Sequence, residues 1–240
     1  MRSARKPRRS RHRPSSSVGH VLELLLPQRC LVCGAGGAPL CAACRARLPP
    51  LTPPLCARCG SPTAWPVARC RECAGRRLAF ASARAALRYD ENVRRLVRAW
   101  KEQGQRGLAE DAAALVADVV ACPAAVLVTF VPADPGRSLR RGYHPAKRLA
   151  EALARRWQLP CEPRLQRSGP SRRQRGLSLA ERRRNVREAF RSAPVRGSIV
   201  LVDDVYTSGA TANAAASALR AAGAARIEVV TFARAIRLSH

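Results

Sequence analysis

Aromatic residues are scarce: three tryptophans, three tyrosines and four phenylalanines in 240 residues, beside a single methionine. A core short of them is built from alanine, valine and leucine, which favours helices packed tightly on a sheet over a large aromatic-lined cavity. Contacts with nucleic acid would then rest on phosphate charge more than on base stacking. Acidic residues are scarce as well, 16 against 44 lysines and arginines, for a net charge of +28. Such a surface attracts polyanions, because each neutralised phosphate releases condensed counterions. Nucleic acid is the first candidate; anionic lipid and phosphorylated small molecules are others. An arginine- and alanine-rich composition also follows from a GC-rich genome, so charge alone chooses no partner. Long apolar runs are missing too. Nothing approaches the roughly 18 residues of a membrane-spanning helix, and no transmembrane segment is expected.

A complete export signal is lacking. The first 17 residues, MRSARKPRRSRHRPSSS, hold seven Lys or Arg and no acid. They look like a secretory n-region, with a twin-arginine pair at Arg8-Arg9. The apolar stretch that follows, residues 21–26, is short, contains Glu23 and has no small-residue cleavage site. Residues 1–17 are therefore read as a disordered basic tail outside the fold, and the protein as cytoplasmic.

The rest divides by composition. Residues 20–75 hold eight of the ten cysteines, many prolines and glycines, and no long periodic segment. Such a stretch buries too little apolar surface to fold without staples. Residues 80–236 instead alternate strand and helix patterns. Residues 80–89 read as an edge strand or hairpin arm. Residues 92–101, with Val93, Leu96, Val97 and Trp100 at helical spacing, read as an amphipathic helix, and 108–120 and 142–159 as two more. The apolar runs 126–131 and 198–202 have the character of buried parallel strands. A helix over 212–222, ended by Gly223, and a last strand over 227–232 complete the series. The pattern predicts an α/β domain with a parallel sheet and flanking helices, whose ligands bind at the carboxyl ends of the strands.

The cysteines form four CxxC knuckles: Cys30 and Cys33, Cys41 and Cys44, Cys56 and Cys59, Cys70 and Cys73. Each knuckle presents two thiolates, and a tetrahedral Zn²⁺ takes two knuckles, so eight ligands imply two structural four-cysteine zinc sites. Sequential pairing is simplest; a cross-braced arrangement stays open. Disulfides would need an oxidising compartment, for which there is no signal. An iron–sulfur cluster would also take four thiolates, but ribbon spacing favours zinc. Cys122 and Cys161 stand alone and read as packed residues.

One segment carries small-molecule chemistry. In VLVDDVYTSGAT (200–211) an apolar strand ends in Asp203-Asp204, and Thr207, Ser208, Gly209, Ala210 and Thr211 lead into a helix. The strand fixes the carboxylates where they can accept from a ribose hydroxyl pair. The small residues and hydroxyls let N–H and O–H donors close around a phosphate at a helix N-terminus. It is neither a Walker loop, having no GK[ST], nor a GxGxxG turn. A plain capped strand–turn–helix accounts for less of it than a phosphoribosyl-pyrophosphate (PRPP) loop does.

LVDDVYTSGAT resembles the signature of type I phosphoribosyltransferases. The segments LVRAWK (96–101), VPADPGRSLRRGYHPAKRLA (131–150) and QRGLSLAERRRNVREAF (174–190), with the cysteine module, narrow the resemblance to the ComF (GntX-like) family over residues 20–236. The resemblance implies a phosphoribosyltransferase-like domain behind a double zinc ribbon. It implies PRPP or another phosphorylated small molecule, with Mg²⁺, as ligand. It also implies a role in uptake of single-stranded DNA during natural transformation, beside a helicase and a membrane channel at the inner face of the membrane. On that basis Asp203 and Asp204 hold the ribose, Thr207–Thr211 the 5-phosphate, and Arg140, Arg141 and Gly142 a pyrophosphate or phosphate. Gln174, Leu177, Arg182, Arg183 and Asn185 form a hood over that site or a nucleic-acid contact. Where the family has an amide pair this chain has His144 and Pro145, and His144 is expected as an exposed turn residue. Whether the chain turns over PRPP as a transferase of nucleobase or nucleotide metabolism, or only binds, stays open. A ligand-sensing regulator is the third class, but no helix-turn-helix is apparent.

Overall fold

A computed structural model describes residues 28–102, 107–133, 144–167 and 189–236. Helix α1 (Ala42–Ala46) lies within the cysteine-rich module. Strand β1 (Ser82–Arg88) is followed by α2 (Glu91–Glu102), α3 (Leu108–Val119), β2 (Leu127–Phe130) and α4 (Pro145–Trp157). Two short strands, β3 (Leu165–Arg167) and β4 (Phe190–Ser192), form an antiparallel pair. Then come β5 (Ser198–Tyr206), α5 (Ala210–Ala221) and β6 (Arg226–Arg234).

The four long strands make a parallel sheet in the order β1-β6-β5-β2. Alternation along β5 sorts the core into two layers. Val200 and Val202 point into a cluster with α2, α3 and α4, whereas Ile199 and Leu201 point into one with α5. The spacing read from the sequence puts Val93, Leu96, Val97 and Trp100 on one face of α2, and all four are buried. Trp100 meets Phe232 of β6 edge-on, with ring centroids 5.9 Å apart.

The cysteine-rich module straddles the β1 edge. Cys30, Leu40, Cys44 and Leu48 pack into the first layer, and Cys56, Cys59, Cys73, Leu78 and Phe80 into the second. Between them the chain runs along the outer side of β1. Leu51 N–H donates to Ala86 O at 2.8 Å, Arg88 N–H to Pro49 O at 2.9 Å, and Ala83 N–H to Arg58 O at 2.9 Å. An edge that would otherwise present open N–H and C=O groups is thereby covered. Gly60 is fixed by the same junction. Its φ is +71°, and a Cβ there would stand 2.3 Å from Ala83 O.

Some bounds differ from expectation. Strand β6 runs on past Phe232 to Arg234, and α5 starts two residues early, at Ala210. The lone cysteines split: Cys161 is half-buried, but Cys122 is exposed and is not a packed residue.

Trp100 is 1% exposed and bridges α2 to the sheet. Trp100→Ala should cost about 3–5 kcal/mol through the cavity it leaves. Urea unfolding monitored by circular dichroism measures this, and a loss below about 1 kcal/mol would contradict the packing.

Candidate functional site

The eight knuckle cysteines come together as two groups in sequential order. Cys30, Cys33, Cys41 and Cys44 form one, and Cys56, Cys59, Cys70 and Cys73 the other, with ligand atoms within 4.8 Å of one another in each. Cross-bracing is ruled out. A tetrahedral Zn²⁺ with Zn–S of about 2.3 Å sets sulfurs about 3.8 Å apart. The observed separations are 3.7 Å for Cys33 and Cys41, 3.6 Å for Cys56 and Cys73, and 3.5 Å for Cys59 and Cys70. Backbone N–H groups already point at the sulfurs, from Cys41 to Cys30 at 3.5 Å and from Cys70 to Cys56 at 3.3 Å. Such donors stabilise thiolate ligands. These are two zinc sites. They differ in shelter, because Cys33 is exposed while Cys56, Cys59 and Cys73 are buried.

The second zinc site touches the sheet through one side chain. Arg234, the last residue of β6, is 1% exposed. It donates to Cys59 O at 2.6 Å and to Glu72 Oε2 at 2.7 Å, and approaches Cys59 Sγ at 3.7 Å. Its guanidinium lies 4.4 Å from the centre of the Tyr206 ring. Tyr206 ends β5, stacks edge-on against Phe80, and fixes the loop that follows. Gly209 has φ +70°, and a Cβ there would lie 2.2 Å from the Tyr206 hydroxyl. Only glycine fits.

Gly209 is the N-cap of α5 and has no side chain with which to cap the helix. Ser208 Oγ accepts from Ala210 N–H at 3.3 Å. Thr207 and Thr211 are exposed, and Ala210 is half-buried. The Tyr206 hydroxyl is buried beneath the loop and has no partner among the described residues.

Asp203 and Asp204 lie at the carboxyl end of β5. Lys101, from the end of α2, donates to Asp204 Oδ1 at 2.8 Å. Burial pushes the Asp203 carboxyl up to about 7, aided by the neighbouring Asp204 charge. The Asp204 N–H, which donates to Asp203 Oδ1 at 2.9 Å, together with Lys101 and Arg167, opposes the rise. Arg167 of β3 donates to Pro132 O at 3.1 Å and stacks over Phe190 at 4.9 Å.

His144 is not an exposed turn residue. It is half-buried, and its Nδ1 accepts from Lys147 N–H at 3.1 Å, capping α4. Its ring packs edge-on against Phe130 at 5.4 Å. Burial holds its pKa below the usual value, partly offset by Asp204. Its Nε2 meets the Ala133 N–H as well, and a neutral imidazole accepts at one nitrogen only, so the two backbone donors compete for a single acceptor. Arg140, Arg141, Gly142, Gln174, Leu177, Arg182, Arg183 and Asn185 lie outside the described residues, as does the 1–17 tail. The motifs alone assign Lys101 no role.

A parallel α/β sheet flanked by helices, with two four-cysteine zinc sites on its edge, defines an α/β protein fused to a double zinc ribbon. A family model described as a double zinc ribbon domain matches residues 21–74. Competence protein F of Haemophilus influenzae is 30% identical over 211 residues, covering 82% of this chain and 90% of that protein. The chain belongs to the competence protein F (ComF) family. The DNA utilization protein YhgH of Salmonella typhi is 29% identical over 194 residues, 76% of this chain and 85% of its own length. The protein of the same name from Escherichia coli K12 is 35% identical over 114 residues, 45% of this chain and 49% of its own.

The two sites should release zinc at different rates to a chromogenic chelator, the one holding exposed Cys33 first. Arg234→Met removes the guanidinium beside Cys59 and leaves the half-buried Glu72 without its partner. It should weaken the Cys56–Cys73 site by about 10-fold or more and leave the other unchanged. An unchanged release rate from the Cys56–Cys73 site in the variant would contradict this.

Proposed function

We propose that the carboxyl edge of the sheet binds PRPP with Mg²⁺ on a phosphoribosyltransferase-like fold, in a protein that assists uptake of single-stranded DNA in natural transformation. The observation that carries the small-molecule part is the loop over Tyr206. A buried hydroxyl without a partner among the described residues, a glycine no larger residue can replace and a helix start whose N-cap residue has no side chain converge on one spot. That is the donor set a phosphate monoester needs. Thr207, Ser208, Gly209, Ala210 and Thr211 would hold the 5-phosphate, and Asp203 and Asp204 the ribose hydroxyls. Arg140, Arg141 and Gly142 would attend the pyrophosphate. Mg²⁺ is a hard cation that takes oxygen ligands, and the two carboxylates suit it; bound with PRPP it would neutralise pyrophosphate charge.

The DNA part is supported by the relatives' names, competence protein F and DNA utilization protein YhgH, and by the net charge of +28. No helix among the described residues is long and apolar enough to cross a membrane. In this reading the protein works in the cytoplasm at the inner face of the membrane, beside a helicase and a channel. Gln174, Arg182, Arg183 and Asn185 act as a hood or a DNA contact.

One observation favours an active transferase as the second reading. A carboxyl titrating near 7 is poised to accept a proton at neutral pH, and Asp203 is such a group. Pyrophosphate release that depends on one nucleobase and vanishes in Asp204→Ala would establish turnover.

Binding itself is tested by titrating PRPP and Mg²⁺ calorimetrically. Asp204→Ala and Gly209→Ala should each weaken it by at least about tenfold, a loss of about 1.4 kcal/mol. The raised Asp203 pKa sets the sign of the pH effect: below 7 the carboxyl is protonated and cannot accept from both hydroxyls. Affinity should therefore rise as pH climbs through 7, and Asp203→Asn should remove that component. Saturable binding that ignores Asp204 and Gly209 would sink the assignment.

A further inference from the structure

A second concave feature lies away from this loop. A cleft of about 700 Å³ opens between the second zinc knuckles and the amino-terminal ends of β1 and β6, with Val119 of α3 on its far wall. Strand β6 begins there at Arg226 and ends at Arg234 beside the phosphate loop. At about 3.3 Å per residue the two regions are about 26 Å apart. Four arginines line the cleft, Arg58, Arg69, Arg84 and Arg226, against one carboxylate, Glu228.

Three of the four are held by neutral groups only. Arg58 donates to Leu78 O at 2.6 Å. Arg69 donates to Ala74 O at 3.4 Å and Arg76 O at 3.3 Å. Arg84 donates to Ala57 O at 3.0 Å and Ala83 O at 2.8 Å. Carbonyl bonds fix a guanidinium in place without cancelling its charge. The fourth, Arg226, pairs with Glu228 at 2.8 Å. The cleft thus carries three preorganised positive charges with no carboxylate partner among the described residues. Its other lining is small and apolar, and Val119 is 44% exposed. Trp65 is 69% exposed on the ribbon loop that leads to Ala68 and Arg69.

We propose that this cleft binds single-stranded DNA, with Arg58, Arg69, Arg84 and Arg226 on successive phosphates and Trp65 as a stacking surface for a base. The inference rests on the DNA-handling reading above. Fixed arginines, with an exposed aromatic on the loop that supplies one of them, are a combination that holds single strands irrespective of sequence. A cleft of this volume is of the size that takes a small ligand, so it accepts a short stretch of one strand rather than the girth of a duplex.

The test is fluorescence anisotropy of a labelled oligothymidylate with the full chain across a salt series. Arg69→Ala/Arg226→Ala alters two exposed cleft arginines. Arg94→Ala/Arg98→Ala, on the exposed face of α2, removes the same charge elsewhere. The cleft pair should weaken binding at least about tenfold and flatten the slope of log affinity against log salt by about 1.4, two contacts at about 0.7 each. The α2 pair should stay within about twofold. Arg226→Glu alone, which touches no ribbon contact, should act in the same direction with zinc content unchanged, separating binding from ribbon folding. Trp65→Ala should weaken binding without changing the salt slope. Equal weakening by both double variants, or none by the cleft pair, overturns the cleft while leaving DNA handling intact. No binding by the unaltered protein overturns both.

Discussion

The structure turns on a guanidinium almost completely removed from water. Arg234 is 1% exposed, yet it satisfies a cysteine carbonyl, a glutamate and an aromatic face at once. A charge in such a place is tolerated only when its partners are fixed around it, and removing one partner of a buried pair costs about 3–5 kcal/mol. The partners come from different parts of the chain. Cys59 and Glu72 belong to the zinc ribbon, and Tyr206 belongs to the strand that carries the acidic pair. A ribbon unable to fold without metal is therefore held to the sheet at the point where the loop over Gly209 is built. Zinc, the junction and the loop share one set of contacts.

The acidic pair shows what the sheet does for chemistry. A parallel strand buried on both faces delivers Asp203 and Asp204 to its carboxyl end with little freedom. Their surroundings then separate them: Asp204 is engaged by Lys101, whereas burial and the adjacent charge raise Asp203. Two identical side chains, one residue apart, thus meet a ligand in different states. Lys101 holds Asp204 before any ligand arrives, so a ribose or a metal ion must compete with that pair or rearrange it.

How much of this was legible follows from the range of each interaction. Local periodicity placed α2 with Val93, Leu96, Val97 and Trp100 on its buried face, the strand under β5 and the helix after Gly209. Spacing of two between cysteines identified every thiol of the two zinc groups, although four knuckles alone do not say which pairs share an ion. Contacts between distant positions left no such trace. Lys101 and Asp204 are 103 residues apart, and Arg234 lies 162 residues from Glu72. Arg234 was also hidden because a charged residue after an apolar run reads as the end of a strand, whereas burial here depends on partners from the ribbon. His144 was misread as exposed for a similar reason. Its cap on α4 is local, but its burial comes from Phe130 on another element.

The parallel sheet gives the chain two ends of different electrostatic character. At the carboxyl end two carboxylates sit beside the start of a helix, an arrangement that suits one compact ligand bearing both hydroxyls and phosphate. At the amino end three arginines carry charge that no carboxylate among the described residues cancels, an arrangement that suits a repeating polyanion. A strand of nucleic acid gains nothing from Asp203 and Asp204, which repel its phosphates. A phosphorylated sugar gains little from a cleft whose one carboxylate, Glu228, is already paired with Arg226. The two ligand classes therefore need not compete for one surface, and the ribbon, which contributes Arg58 and Arg69 to one end and buttresses Tyr206 at the other, is the element both ends have in common.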